Sequence, residues 1–157
     1  MKKGLIITGI ILLISMASCV TTGGGGPAEI TLMADDAILT TDGALILEEK
    51  DDYNNIGWWE NTEDLITWKF NVEKPGTYKA IVNISCASSF AGATIGATVG
   101  DKTLEIKVPD TIEWSTYYDV EMGEFKLAAG ENTLNVQGIE IVDRFFANIR
   151  WIKLVKG

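Results

Sequence analysis

After Pro75-Gly76 the chain alternates: Tyr78, Ala80, Val82, Ile84 and Cys86 fall on one side of a period-2 pattern. A β-strand turns successive side chains to opposite faces, so this spacing describes a strand with one buried face, entered through a Pro-Gly turn. From Ile30 onward the same habit persists, with short apolar runs broken by turn residues and no stretch of sustained helical spacing. Residues 93–99 and 102–108 flank Gly100-Asp101, which predicts a tight hairpin. A strand ending at Leu127 meets the turn Ala128-Ala129-Gly130-Glu131, after which residues 132–137 run back. Residues 145–155 are rich in aromatic and β-branched side chains, which favour strands. Strands at this interval, with no helix between them, predict an all-β chain folded as an antiparallel two-sheet β-sandwich of jelly-roll type.

The N-terminus reads differently. Lys2 and Lys3 precede an apolar stretch over residues 5–14, and Ser15-Met16-Ala17-Ser18-Cys19 closes it with small residues before a cysteine. That is the order of a secretory signal, and the apolar run is short for a membrane-spanning helix. The closing residues resemble the lipobox of bacterial lipoproteins, with Met16 where leucine is usual. The resemblance implies cleavage before Cys19, lipid on that cysteine, and a cell-envelope location anchored through the acyl chains. Val20, a non-acidic residue after the cysteine, points by the same resemblance to the outer membrane over the inner. Gly23 to Gly26 cannot add to a core and read as a tether. The expected organisation is a signal peptide over 1–18, a lipidated cysteine and tether over 19–28, and one sandwich domain over 29–157.

Charge and cysteine content narrow the chemistry. The formal net charge is −9, and because the leader carries two lysines and no acid, its removal takes the value to −11. Such a surface repels phosphate backbones and argues against nucleic acid as a partner. Once Cys19 is used by lipid, Cys86 has no partner for an intrachain disulfide and reads as a buried, inert thiol. The chain has no histidine, which removes His-based triads, most zinc sites and ordinary imidazole acid–base catalysis.

Several stretches resemble a known family. Ile56-Gly57-Trp58-Trp59, Glu63-Asp64-Leu65-Ile66-Thr67-Trp68-Lys69-Phe70 and Lys74-Pro75-Gly76-Thr77-Tyr78 are similar to the "GY…DW…Y…PGTY" run of carbohydrate-binding modules. The families concerned are six and thirty-five and their relatives, including the galactose-binding-like sandwich domains appended to some α-L-fucosidases. Pro109-Asp110-Thr111-Ile112-Glu113-Trp114 resembles their "TGGW" loop, and Phe146-Ala147-Asn148-Ile149-Arg150-Trp151-Ile152-Lys153-Leu154 their closing "FNLDWIRL" strand. The resemblance implies a sugar site among loops at one end of the sandwich. Carried over position by position, Trp58 and Trp114 flank the sugar and Asn148 bonds its hydroxyls. These residue types suit the task, since sugar rings present flat C–H faces to aromatic planes while their hydroxyls need a few placed polar groups. Trp59 is the neighbouring candidate, because only one of two adjacent strand residues faces a cleft. Glu60, Asn61 and Glu113 are close enough in sequence to add hydrogen bonds. Trp68 and Trp151 read as core.

Relatives of that family hold a structural calcium between an early Glu and the closing Asp. Here Asp35 and Glu48 are the acidic candidates, but Arg150 occupies the closing position, and a cation there is unfavourable beside a site needing several oxygen ligands. A salt bridge from Arg150 to Asp35 or Glu48 is the expected substitute, with no other cofactor. Asp35-Asp36 and Asp51-Asp52 otherwise read as solvated turns. The resemblance implies a membrane-tethered, non-catalytic module with a glycan partner. The alternative is a structural or protein-interaction module that keeps the sandwich without the sugar site. A glycosidase would draw on Glu60, Glu63, Asp64, Glu113 and Asp119, yet nothing in the sequence sets two of these carboxylates opposite one another.

Overall fold

The structure is a computed structural model that describes residues 28–157. The expected signal peptide, Cys19 and the glycine run lie outside the described residues. The described chain is built from strands β1 (Glu29–Met33), β2 (Ile38–Thr40), β3 (Ile46–Glu49), β4 (Asn54–Gly57), β5 (Leu65–Val72), β6 (Gly76–Ser85), β7 (Thr94–Val99), β8 (Lys102–Lys107), β9 (Tyr118–Leu127), β10 (Gly130–Glu140) and β11 (Asn148–Lys156), with two short 3-10 turns. They form two sheets. One runs β3-β4-β11-β6-β9, with β1 added alongside β11; the other runs β2-β5-β10-β7-β8. Every strand pair is antiparallel. This is the two-sheet sandwich that the alternation predicts.

The alternating positions of β6 do what their spacing demands. Tyr78, Ala80, Val82, Ile84 and Cys86 are all buried. With Ile152 and Leu154 of β11 they face Ile66, Trp68, Leu134, Val136 and Ile95 of the second sheet. Burying an aliphatic or aromatic side chain of this size contributes about 1.5–3 kcal/mol, so these two inner faces supply most of the drive to fold. Trp68 also joins the layers by a polar contact, its indole Nε1 donating to the Met33 carbonyl at 2.7 Å. Tyr78, the residue after the Pro-Gly-Thr turn, donates its hydroxyl to the Lys74 carbonyl at 2.6 Å and closes that turn.

Two details depart from the sequence reading. The 93–108 segment is a hairpin closed by Gly100-Asp101 as expected, but the turn after Leu127 carries the chain across from the first sheet to the second. Trp151, expected in the core, is half-buried on the outside of its sheet, with the Lys153 ammonium 4.9 Å from its ring centroid. A bulge between Ile149 and Trp151 inserts Arg150 and shifts the alternation, so the outward positions change past it.

The registers define two ends. At one, the loops after β4, β6, β8 and β10 cluster beside Asn148, which pairs with Ser85. At the other lie the turns around Gly76, Gly100 and Gly130 and both ends of the described chain, where Lys156 N–H donates to the Ala28 carbonyl at 2.8 Å. Between them, Gly138 on β10 leaves room for Phe146. A Cβ there would stand 2.3 Å from Phe146 Cζ. We expect Gly138→Ala to destabilise the domain by about 1–3 kcal/mol through overpacking, measured as a lower urea midpoint with unchanged slope.

Candidate functional site

A cavity of about 280 Å³ opens at the loop end, lined by Glu48, Lys50, Trp58, Trp59, Trp114, Phe145, Ala147 and Asn148. Its architecture begins with two aromatic doublets. Trp58-Trp59 follows β4 and Phe145-Phe146 precedes β11. The inner members, Trp59 and Phe146, stack with centroids 4.9 Å apart, and Phe146 N–H donates to the Trp59 carbonyl at 2.9 Å. The outer members, Trp58 and Phe145, meet edge to face at 5.9 Å. Phe145 stands edge-on to Trp114 as well, at 6.0 Å, and Phe90 supports both of those rings at 5.3 and 5.5 Å. The result is a set of aromatic walls around the opening.

Of the adjacent tryptophans, Trp58 is 48 % exposed and Trp59 only 1 %. Trp59 closes the inner wall and donates its Nε1 to the Asn61 carbonyl at 3.2 Å, so it is a packing residue rather than a platform. Trp58 takes the left-handed conformation, φ 57, which turns its ring outward from the line of the strand. That conformation is strained for a bulky residue.

The polar part of the cavity rests on Gly57. A Cβ there would stand 2.4 Å from Glu48 Oε2 and 2.9 Å from Asn148 Oδ1, so glycine is what lets both side chains close over the strand. Glu48 is held by three neighbours: Asn55 Nδ2 donates to Oε2 at 2.7 Å, Trp58 Nε1 to Oε1 at 3.2 Å, and the Lys50 ammonium lies 3.9 Å away. The carboxylate therefore orients the Trp58 ring while keeping acceptor capacity toward the opening. Asn148 is 8 % exposed and borders the cavity at the start of β11. Beside it the Tyr117 hydroxyl is buried and its pKa raised, chiefly by that burial, with Tyr53 adding and Ser85, Asn148 and Arg150 opposing.

The acidic residues fall out otherwise than a calcium site requires. Asp35 accepts a hydrogen bond from Asn54 Nδ2, and Glu48 belongs to the cavity. Arg150 bridges to neither of them. Its guanidinium stacks on Tyr53 at 4.3 Å and lies 5.2 Å from the Tyr117 centroid, and these two rings meet edge to face at 5.5 Å. Among the described residues no three His, Cys, Asp or Glu side chains gather as a metal site. The residues present do not fit a calcium ion. Glu113 is exposed, hydrogen-bonds Ser115 at 3.4 Å and does not line the cavity. Glu60 pairs with Arg144 at 2.7 Å, Asp64 is buried, and Asp119 accepts from Asn83, so Glu48 is the one carboxylate lining the opening among the described residues.

Trp114 is positioned from below. The Thr111 hydroxyl, fully buried, accepts from Cys86 N–H at 2.9 Å and lies 3.2 and 3.1 Å from the Cys86 and Glu113 carbonyls. Ser85 Oγ donates to the Trp114 carbonyl at 2.8 Å. Asp110 Oδ1 accepts from Ile112 N–H and Ser88 Oγ, both at 2.8 Å, and holds Ile112 at φ 74. Sequence reasoning missed Phe145, Ala147 and Lys50, and placed Glu48 with a metal. The visible signal for Phe145 was its doublet with Phe146, which mirrors Trp58-Trp59.

Two outcomes follow. Thr111→Val leaves the Cys86 N–H without a partner, and we expect a loss of about 1–3 kcal/mol in chemical denaturation. The Cys86 thiol is pushed up to about 11, first by burial and then by the Asp110 charge. Native protein should resist alkylation at pH 8 and react fully once unfolded. Because the folded state holds the proton more tightly, the accompanying stability is intact below about pH 9 and declines as pH rises toward 11.

No curated protein matches the chain. Among solved structures, a family 35 carbohydrate-binding module from Clostridium thermocellum aligns with TM-score 0.69 at 18% identity, over 83% of this chain and 99% of its own. The C-terminal family 6 module of LamC, a marine laminarinase from Zobellia galactanivorans, gives 0.67 at 19%, over 82% and 100%. A module of lichenase 5A from Cellvibrio mixtus, solved with cellotriose, gives 0.63 at 18%, over 82% and 97%. At these identities the likeness is one of fold, the carbohydrate-binding-module-like β-sandwich. Residues 47–156, most of the described domain, match the family described as "Domain of unknown function (DUF5077)", and the chain belongs to that family.

Proposed function

We propose that the domain is a non-catalytic module that takes a sugar ring in the loop-end cavity, between Trp58 and Trp114, and is held at the cell envelope by lipid on Cys19. One observation carries the binding reading: Glu48 and Asn148 converge over Gly57 beneath a rim of Trp58, Trp114 and Phe145. Flat apolar walls meet the C–H faces of a pyranose, and an acceptor carboxylate beside a donor–acceptor amide meets its hydroxyls. A cavity of about 280 Å³ is just under the ~300–1,000 Å³ range of ligand pockets, a size for one ring rather than a buried chain. The fold supports the same reading, since its structural relatives include carbohydrate-binding modules, one of them solved with cellotriose.

Among the described residues a single carboxylate lines the opening, without a second to form the acid–nucleophile or acid–base pair of glycoside cleavage, which supports binding without turnover. The anchoring half rests on the sequence: Lys2, Lys3, the apolar run and Cys19, with Val20 favouring the outer membrane. The competing role, a protein-interaction module, draws on exposed Ile112, 67 % accessible beside the same loop.

A glycan array probed with the domain from residue 28 separates these. We expect the wild type to bind a restricted set of glycans, and Trp58→Ala and Trp114→Ala each to weaken binding at least tenfold, about 1.4 kcal/mol. Trp58→Ala should remain folded with a modestly lowered melting temperature, because half of that side chain is already in solvent and the rest gives up the Glu48 hydrogen bond and the Phe145 contact. A folded wild type that binds nothing on the array overturns the glycan reading.

A further inference from the structure

We infer that the domain stands on the membrane with the end bearing Ala28 toward the bilayer and the cavity facing away. Its ligand is then a glycan approaching from outside, not the headgroup of a lipid in the same leaflet. The inference rests on the lipid anchor at Cys19 and on the glycan reading above.

Three observations lead there. The first is where the chain enters the sandwich. β1 pairs with β11 from Glu29↔Val155 to Met33↔Trp151, and the Ala28 carbonyl accepts from Lys156 N–H. Asn148, which borders the cavity, is the opposite end of the same strand. Eight residue steps at ~3.4 Å separate the entry point from the cavity by about 27 Å.

The second is reach. Cys19 and Ala28 are nine residues apart, and a chain of that length spans at most about 30 Å whatever its conformation. For the cavity to touch the membrane that holds Cys19, the whole connection would have to lie fully drawn out along the flank of the domain. Any less extended arrangement keeps the cavity from facing that surface mouth-on.

The third is the distribution of exposed apolar side chains. Trp58, Ile112, Ile46, Tyr118, Ile139 and Val142 are all exposed, and each lies in or beside the loops of the cavity end. Met33 and Ile38, also exposed, pair with Trp151 and Thr67, within three residues of that end. Both ends carry charges, Glu60, Arg144 and Asp110 at the cavity end and Lys102, Asp101, Glu124, Lys126 and Glu131 at the other, so the exposed apolar side chains are what sets the cavity end apart. Of these only Trp58 lines the cavity, and the rest gather on the same end of the sandwich, which marks that end as the face that meets a partner. A connection that spans this distance only when fully drawn out favours a partner other than the protein's own bilayer. An extended or insoluble polysaccharide presents stacked C–H faces that suit such a face.

The buried Cys86 allows a clean test, because a thiol added at the surface can be labelled alone. The full chain, processed and lipidated in cells, would be purified with Asp101→Cys or Ile112→Cys, labelled with a donor dye and reconstituted into phosphatidylethanolamine–phosphatidylglycerol vesicles carrying a headgroup acceptor. Val142→Cys repeats the upper position should Ile112→Cys disturb its loop. Energy transfer several-fold stronger from position 101 than from 112 or 142 is expected. Equal transfer, or stronger transfer from the cavity end, overturns the orientation. If the wild type fails to float with vesicles, or Cys19→Ala floats equally well, the anchor itself is absent and the inference falls with it. None of these readouts depends on sugar binding, so a silent glycan array leaves a distinct signature.

Discussion

The contact on which the loop end depends is the stack of Trp59 on Phe146. Its rings are 4.9 Å apart, the backbones beneath them are joined by a hydrogen bond, and Phe146 fits only because β10 has glycine opposite it. Each ring is the inner half of a doublet. Burying the inner halves against each other fixes where the outer halves, Trp58 and Phe145, must emerge. The hydrophobic drive that closes the sandwich thus also positions the exposed aromatics, with the Phe146–Trp59 backbone hydrogen bond fastening the two loops together. Phe145 then serves as the hinge between Trp58 on one side and Trp114 on the other.

Polar contacts refine what packing has placed. Asn54 and Asn55 are consecutive on β4, so their side chains diverge, and each takes one acid: Asp35 for Asn54 and Glu48 for Asn55. These bonds fasten β4 to the strands and turns around it. They also turn the two acids away from a shared centre. Arg150 completes the pattern by stacking on Tyr53 and Tyr117, where its charge is met by ring faces instead of a carboxylate. The cation–π arrangement demands less desolvation of an acidic partner than a buried ion pair would.

Much of this was legible from the residues. Period-2 spacing in 78–86 and the turn signals at 75–76 and 100–101 specify strands and hairpins, because those are local properties of the backbone. The Trp58-Trp59 alternation carries the statement that one ring must be buried, though not which one. What decides it is a left-handed φ at Trp58, a backbone choice with no residue signature, since glycine or asparagine would be the usual mark. Glu48 was visible as an acid but not as a wall of the cavity. Its role depends on β3 pairing with β4 so that Glu48 faces Asn55 across from Gly57, a long-range register that local pattern does not encode. The bulge at Arg150 hid Trp151 in the same way, since one extra residue reverses inside and outside for everything beyond it.

Trp58 and Ile112 are the non-glycine residues with left-handed φ among the described residues, and both sit at the cavity end. A strained conformation of this kind costs on the order of 1–3 kcal/mol and persists only where its surroundings over-determine it. At Ile112 the surroundings are plain: Asp110 takes its N–H, Ser88 N–H reaches its carbonyl at 3.3 Å, and Thr111 is locked beneath. At Trp58 they are the Glu48 acceptor and the Trp59–Phe146 stack behind it. In both places the strain leaves much of a large apolar side chain in water, 48 % of Trp58 and 67 % of Ile112. Glycine would take either φ without strain, though at position 58 it would lose the Glu48 hydrogen bond and the Phe145 contact. Aromatic surface fixed before a ligand arrives avoids the ordering cost that mobile side chains incur on binding. The strain at Trp58 thus fixes its ring at the edge of the cavity, and the strain at Ile112 fixes the loop that leads into Trp114.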